Sequence, residues 1–357
     1  MDLLHLCGKI ANAPRRVHMT RCKFMYQENS YEVLVDKIIS HNYIKICFAV
    51  LYINNRFSKR VVIKTYEPLS FRSTRTSGTK RTSGALDYSP EEFDPDLYSG
   101  LIDEIEIHTI IESKIGYSKY YSHMLFHYWT DKSIGIIYDD FGDTLCKTNM
   151  SMYSLGAKKK MLLQLINQIN FLQQNEIYHG DLKPANICVT SNGDIVLIDF
   201  GIGYFKEFYC DTKLKTKYNT TITSGSPEYI SIYLGYSAGK EYPKELFDKS
   251  QHFAIGGLIF GILVGNPELY FSKCYKIINL LKKSNEDLEN LNPANRFKYF
   301  NEEFSKTICD FISKEFESKP ELHSFKPIIL NMFEYDYNKR LDLEEIINQI
   351  QKIDELS

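Results

Sequence analysis

His179-Gly180-Asp181-Leu182-Lys183-Pro184-Ala185-Asn186, followed downstream by Asp199-Phe200-Gly201, is the part of this chain that decides its reading. The first stretch places a carboxylate, an ammonium and an amide on one loop, and the second adds a carboxylate behind a strand. Between them run Ile187-Cys188-Val189, the turn residues Ser191-Asn192-Gly193-Asp194, and Ile195-Val196-Leu197-Ile198. That pattern predicts strand, tight turn, strand. Such a hairpin brings Asn186 and Asp199 to the two ends of one ribbon, close enough to share metal ions. A base, a phosphate-facing cation and two oxygen ligands for Mg²⁺ are the parts that phosphoryl transfer from ATP requires. His-x-Asp alone fits an ordinary polar loop. The full string, with Asp-Phe-Gly at hairpin distance, is far more specific.

These residues resemble the eukaryotic-type protein kinases, and the resemblance runs over residues 31–350. It implies an α+β, bilobal fold with a β-rich N-lobe and a mainly helical C-lobe. It also implies that Asp181 accepts the proton of the substrate hydroxyl, that Lys183 neutralises the transferred phosphate, and that Asn186 and Asp199 hold Mg²⁺. Lys183, two residues after the Asp, is similar to the serine/threonine subgroup, so ATP and a protein hydroxyl are the expected substrates.

The 357 residues suffice for one large domain or two smaller lobes. A formal net charge of −2 gives no reason to expect a nucleic-acid surface. Eight cysteines without a Cys-x-x-Cys pair predict a reduced, intracellular, cytoplasmic protein. Met1-Asp2-Leu3-Leu4-His5 lacks the basic start and apolar run of a signal peptide. Phe253 to Gly265, the longest apolar run, is too short for a bilayer and fits a buried helix, so no membrane span is expected. Abundant Tyr, Ile, Asn and Lys suggest an AT-rich genome, viral or protist. A viral source would place the protein in host cytoplasm or virion.

Residues 1–30 show no periodicity and are read as an N-terminal extension. Residues 31–142 are expected to form the N-lobe and its connector, and 143–357 the C-lobe. Tyr31–Val35, Ile44–Val50 and Arg60–Lys64 alternate and read as three antiparallel strands. Residues 67–100 turn to Ser, Thr, Arg, Gly and Pro, basic first and acidic later, and are expected to be a mobile insert. Leu101 to Lys114 has helical spacing, and Met124–Trp129 and Ile134–Tyr138 read as strands. Ala157 to Asn175 is a helix with Met161, Leu162, Leu165, Ile166, Ile169 and Leu172 on one face. A β-rich first third and a helical remainder predict two lobes with a ligand cleft.

Val61-Val62-Ile63-Lys64 is similar to the family's Val-Ala-Ile-Lys strand, which implies that Lys64 contacts the α- and β-phosphates of ATP. Its carboxylate partner is Glu104 if Ile107 and Ile111 point inward, and otherwise Glu106. Ile136-Ile137-Tyr138-Asp139-Asp140-Phe141-Gly142 resembles the lobe connector, whose backbone, at Asp139 and Phe141, pairs with adenine. Tyr138 then stands at the back of the adenine pocket, and Ile46, Val62 and Cys188 sandwich the base. Gly225-Ser226-Pro227-Glu228-Tyr229 resembles the segment that shapes the substrate site. Ser226 is its bridging hydroxyl, reaching Asp181 and Lys183.

The chain also departs from the family pattern. In the glycine-rich loop region, Ile38 to Ile46, the three glycine positions hold Ile39, His41 and Ile44. β-Branched residues resist the backbone freedom that brings a loop close to phosphate. Gly180 replaces an Arg, Ile232-Tyr233 replaces Pro-Glu, and Gln251 replaces an Asp. Arg340 therefore needs a new partner, with Glu228 as a candidate. Three readings follow: an active serine/threonine kinase, a pseudokinase scaffold with weak or no nucleotide binding, and a small-molecule phosphotransferase.

Overall fold

The computed structural model describes residues 20–26, 29–41, 44–66, 95–115, 121–129, 134–201, 204–205, 249, 251–283 and 293–353. The chain divides into two compact units, Met1–Phe141 and Gly142–Ser357. The first is built on a six-stranded antiparallel sheet of β1 (Thr20–Tyr26), β2 (Asn29–His41), β3 (Ile44–Ile53), β4 (Arg56–Tyr66), β5 (Met124–Trp129) and β6 (Ile134–Asp139). The strand order is β1-β2-β3-β4-β6-β5.

β-Branched and aromatic residues at alternate positions give this sheet two different faces. One face buries Val33, Val35, Cys47, Ala49, Leu51, Val61, Ile63 and Ile137 in a continuous apolar core. The other carries Ile46, Val62, Lys64, Ile136 and Tyr138. Register fixes that assignment: Ile46 and Ile136 stand opposite Lys64, and Tyr138 stands opposite Val62. Helix α1 (Pro95–Ile115) lies in this unit, and Leu101 and Ile105 pack with Tyr66, Ile136 and Tyr138 on that second face. Leu101, Glu104, Ile107, His108 and Ile111 are all buried, a helical stripe that aims Glu104 at the sheet. The β3–β4 turn is made by Asn54 and Asn55, at φ 50° and 62°, residues that tolerate the left-handed region.

Two boundaries differ from the sequence expectation. Thr20–Tyr26 is a strand, inside the stretch read as an aperiodic extension, and it pairs along β2 from Thr20↔Val35 to Tyr26↔Asn29. Strand formation there depends on a partner edge, which periodicity within seven residues does not reveal. Helix α1 begins at Pro95, inside the expected insert. Proline suits the first helical turn, where its missing N–H is not needed. The rest of that insert, residues 67–94, lies outside the described residues.

In the second unit, β7 (Asp143–Thr144), β9 (Ile187–Val189) and β10 (Ile195–Leu197) form one small sheet, and β8 (Ile177–Tyr178) pairs with β11 (Tyr204–Phe205). The helices are α2 (Leu155–Gln174), α3 (His252–Val264), α4 (Leu269–Lys283), α5 (Pro293–Glu317), α6 (Lys326–Met332) and α7 (Leu343–Lys352). Ser154 caps α2, its hydroxyl accepting from Ala157 N at 3.2 Å. The six apolar positions expected on α2 are all buried. Its polar side grips the hairpin. Gln164 Nε2 and Lys160 Nζ reach Asp194 Oδ1 at 2.7 and 3.1 Å, and Gln168 Nε2 donates to Ile195 O at 2.8 Å.

Helix α3 is buried from His252 to Leu263, and among the described residues no helix is long and apolar enough to cross a membrane. It ends at Gly265, whose φ of 86° gives a left-handed cap. At Gly261 an added Cβ would lie 2.7 Å from the Pro267 backbone. Gly261→Ala is therefore expected to destabilise the second unit by roughly 1–3 kcal/mol, because the obstructing atoms are main chain. A lower urea midpoint at unchanged slope is the expected result.

Candidate active site

The first unit gathers Lys64, Glu104 and Tyr138. Lys64 sits on β4 beside Ile136 and beneath α1, so its ammonium meets the one buried carboxylate on the helix stripe. Lys64 Nζ lies 2.8 Å from Glu104 Oε2, with the Lys64 side chain 10% exposed and that of Glu104 fully buried. Glu106 is exposed, which settles the choice between the two carboxylates. Tyr138 hydroxyl donates to the other carboxylate oxygen, Glu104 Oε1, at 2.7 Å.

Ile46 and Val62 are half-buried on the same sheet face as Lys64. At the end of β6, Asp139 pairs with Lys59 at 2.7 Å. Arg60 holds Asp36 and Asp140 at 3.0 and 3.1 Å. The hydrogen bond to Asp36, then that to Asp140, keeps the Arg60 guanidinium above its ordinary range. Phe141 is half-buried and closes this unit.

The second unit gathers Asp181, Lys183 and Asn186. Pro184–Asn186 form one 3₁₀ turn, which folds the amide back onto the start of the loop. Asn186 Nδ2 donates to Asp181 O at 2.9 Å and to Asp181 Oδ2 at 3.0 Å. Lys183 Nζ lies 2.5 Å from Asp181 Oδ2. Ile198 N donates to Asn186 O at 3.0 Å, so the hairpin brings Asp199 next to Asn186 as the turn chemistry predicts. Asp199 itself sits at φ 65°, an unusual conformation for a residue with a side chain. Cys188 is buried in β9. Ser226 lies outside the described residues.

His179 braces this loop from behind. It is 1% exposed, its ring stacks at 4.6 Å on the fully buried Phe200, and Nε2 lies 3.0 Å from Ile198 O. Its Nδ1 accepts from Asp181 N at 3.3 Å. A carbonyl can only accept, so Nε2 carries the proton and the imidazole is neutral. Burial pulls the His179 pKa below its ordinary value, against the nearby carboxylates of Asp181 and Asp199. Gly180 stands at φ 78°, which explains why the position suits glycine and strains any larger residue.

The residues fit the groups that the resemblance implies. Asn186 Nδ2 donates to two acceptors of Asp181, which orients the amide. Asn186 Oδ1 and the Asp199 carboxylate are hard oxygen atoms that would hold Mg²⁺. Mg²⁺ is held by one or two protein carboxylates and carbonyls, and phosphate oxygens and water complete its shell. Among the described residues there is no cluster of three or more His, Cys, Asp or Glu that could hold a metal.

The departures resolve unevenly. The β2–β3 ladder runs regularly through Ile39↔Ile46 to His41↔Ile44, so the residues at the glycine positions extend the strands. Gln251 is half-buried, and its Nε2 has no hydrogen-bond partner among the described residues. Arg340 is 4% exposed and donates to Glu334 O and Lys249 O, both at 2.7 Å, with its guanidinium 4.4 Å from the Phe253 ring. Among the described residues, these carbonyls and this ring are contacts of its guanidinium. Glu228, Ile232 and Tyr233 lie outside the described residues. Sequence reading missed the Tyr138–Glu104 bond, His108 beside it and the bracing role of His179. The first needs strand register, and the others need burial.

Two buried histidines make stability depend on pH. Burial drags His252 down to about 3, helped by Arg340 and Lys249, and also lowers His179. The unfolded chain binds their protons first, near pH 6.5. Stability is therefore complete above that pH and falls as pH drops below it, by up to about 1.4 kcal/mol per unit for each group. Urea midpoints between pH 7.5 and 5 should fall for the wild type and fall less for His252→Leu, which removes one of the two titrating groups.

A sequence model of the protein kinase domain matches residues 102–350, beginning after the strand that carries Lys64. A probable cAMP-dependent protein kinase catalytic subunit of Encephalitozoon cuniculi is 30% identical over 127 residues, 34% of this chain and 33% of that protein. A probable serine/threonine-protein kinase of Dictyostelium discoideum is 23% identical over 313 residues, 80% of this chain and 65% of that protein. Serine/threonine-protein kinase 36 of Pongo abelii is 24% identical over 163 residues, 45% of this chain and 11% of that protein. The chain therefore spans less than two thirds of the length of each of these curated relatives. The kinase match covers more than half the chain, and a β-rich unit precedes a mainly helical one: this chain belongs to the protein kinase family and has its α+β fold.

Proposed function

We propose that this chain is a serine/threonine protein kinase that uses Mg-ATP and phosphorylates hydroxyls of a protein substrate. The observation that carries this reading is the loop in which Asp181, Lys183 and Asn186 converge within 3.0 Å. In this reading Asp181 orients the substrate hydroxyl and takes up its proton as the new O–P bond forms. Lys183, beside the Asp181 carboxylate, offsets negative charge on the transferred group. Asn186 Oδ1 and the Asp199 carboxylate hold Mg²⁺. Bound with ATP, Mg²⁺ supplies neutralisation of phosphate charge. Lys64, braced by Glu104, contacts the α- and β-phosphates. Ile46, Val62 and Cys188 line the base site, with Asp139 and Phe141 along the connector. Lys183 next to Asp181 favours Ser/Thr over Tyr. Eight cysteines without a Cys-x-x-Cys pair support a reducing, cytoplasmic setting.

A second reading, a pseudokinase scaffold, is favoured by the β2–β3 ladder. Ile39 is 41% exposed and Ile44 pairs with His41 where the family has glycine, which weakens the grip on phosphate. Lys64, Asp181, Asn186 and Asp199 nevertheless keep the residue types that the reaction needs, which favours an active enzyme with a loose hold on nucleotide.

The deciding experiment is transfer of labelled γ-phosphate from Mg-ATP to the protein itself and to a generic basic protein, wild type beside Asp181→Asn. The expected result is label with wild type and a loss of roughly 10²–10⁴-fold in the variant. Folded wild type that transfers no label would overturn the kinase reading in favour of the scaffold.

A further inference from the structure

The Tyr138 hydroxyl makes a contact that the sequence does not foretell. It donates to Glu104 Oε1 at 2.7 Å, while Lys64 occupies Oε2 at 2.8 Å. The carboxylate is fully buried, so each donor that reaches it matters. A hydroxyl bonded to an ionised carboxylate is a charge-assisted contact, among the strong ones.

The ring is itself fixed. Tyr138 is 8% exposed and stands opposite Val62 on one side and Met124 on the other. His108 packs on it at 5.3 Å between ring centroids, and Ser122 Oγ lies 3.4 Å from His108 Nε2. Glu104 and His108 are four residues apart on α1, so both hold the same tyrosine from adjacent turns. Helix α1 is thereby tied to β6 as well as to β4.

We infer that Tyr138 is a positioning residue for phosphoryl transfer. Its hydroxyl fixes the Glu104 carboxylate, and through it the Lys64 ammonium, independently of whether Lys64 also engages a phosphate. When Lys64 turns toward phosphate, a tyrosine-held Glu104 stays in line with it. With phenylalanine at 138 the ring remains and the hydrogen bond to the carboxylate is lost. The inference rests on the kinase reading above.

The test is steady-state kinetics of Tyr138→Phe, Glu104→Gln and the double variant, with Mg-ATP and a generic basic protein. For Tyr138→Phe kcat should fall about tenfold, the scale of one lost hydrogen bond to a buried charge. KM for ATP should stay within about twofold, because the interaction is made for the reacting arrangement and not for the base. On the Glu104→Gln background the same substitution should cost less than about twofold, since its effect passes through the carboxylate. Three results would overturn the inference: a Tyr138→Phe enzyme equal to wild type, a loss confined to KM, or an undiminished loss on the Glu104→Gln background. A loss confined to KM would return Tyr138 to the lining of the adenine site. Each of these leaves wild-type activity intact. Wild type that transfers no phosphate would instead overturn the kinase reading, and this inference with it.

Discussion

Glu104 places a carboxylate where water does not reach, and the first unit is arranged to make that tolerable. Stripping an ion of its water costs several kcal/mol, of the order that only a close counter-ion and further hydrogen bonds can offset. Lys64 provides the first at 2.8 Å, and Tyr138 is one source of the second. To supply both, β4 and β6 must lie side by side in one register, with Lys64 opposite Ile136 and Tyr138 opposite Val62. Helix α1 must also keep one face inward, so that Leu101, Ile107 and Ile111 are buried with Glu104. The apolar contacts hold the helix on the sheet, and the ion pair determines which way it faces. A well-packed apolar pair would stabilise the unit as well or better. A pair kept at that disadvantage suits a lysine whose charge has a second use.

The second unit solves a similar problem with a neutral group. His179 is buried, so it is held uncharged, with one ring nitrogen committed to Ile198 O and the other to Asp181 N–H. That pins the loop carrying Asp181 to the strand that leads into Asp199. The left-handed backbone at Gly180 and Asp199 is part of the same closure. Against these restraints the β2–β3 hairpin is the weak element. Past an irregularity at Val35/Lys37 its ladder is regular from Lys37↔Phe48 to His41↔Ile44, and a regular ladder lacks the bare main chain that glycine offers a phosphate. The sequence keeps the family's residue types at Asp181, Lys183, Asn186 and Asp199 and departs from them at Ile39, His41 and Ile44.

Much of this was legible in the sequence because it is local. The β9–β10 ribbon follows from β-branched runs flanking Ser191 to Asp194, and it carries Asn186 and Asp199 to adjacent ends. The buried faces of α2 and α3 follow from spacing and from an unbroken apolar run. Glu104 was favoured over Glu106 because Ile107 and Ile111 needed the inner face, and burial supports that choice. What stayed hidden depends on pairing across distance. Strand β1 is paired along β2, and its alternation of Cys22, Phe24 and Tyr26 with Arg21 and Lys23 is too short to stand out without that partner. The bond from Tyr138 to Glu104 depends on strand register and on which way the helix faces, neither of which is local. Arg340 turned to carbonyls of Glu334 and Lys249, acceptors that every residue has and no sequence marks.

The account depends most on the claim that Lys64 keeps its charge buried for use on nucleotide phosphate, despite a hairpin without glycine. A thermal-shift titration with Mg-ATP tests it most directly, wild type against Lys64→Met, each referred to its own melting temperature without ligand. Ligand that binds the native state stabilises by RT ln(1 + [L]/Kd), about 2.7 kcal/mol at a hundredfold excess over Kd. The account predicts a saturable rise for wild type and most of that rise lost in Lys64→Met. No shift for folded wild type at millimolar Mg-ATP, or an equal shift in both proteins, would contradict it.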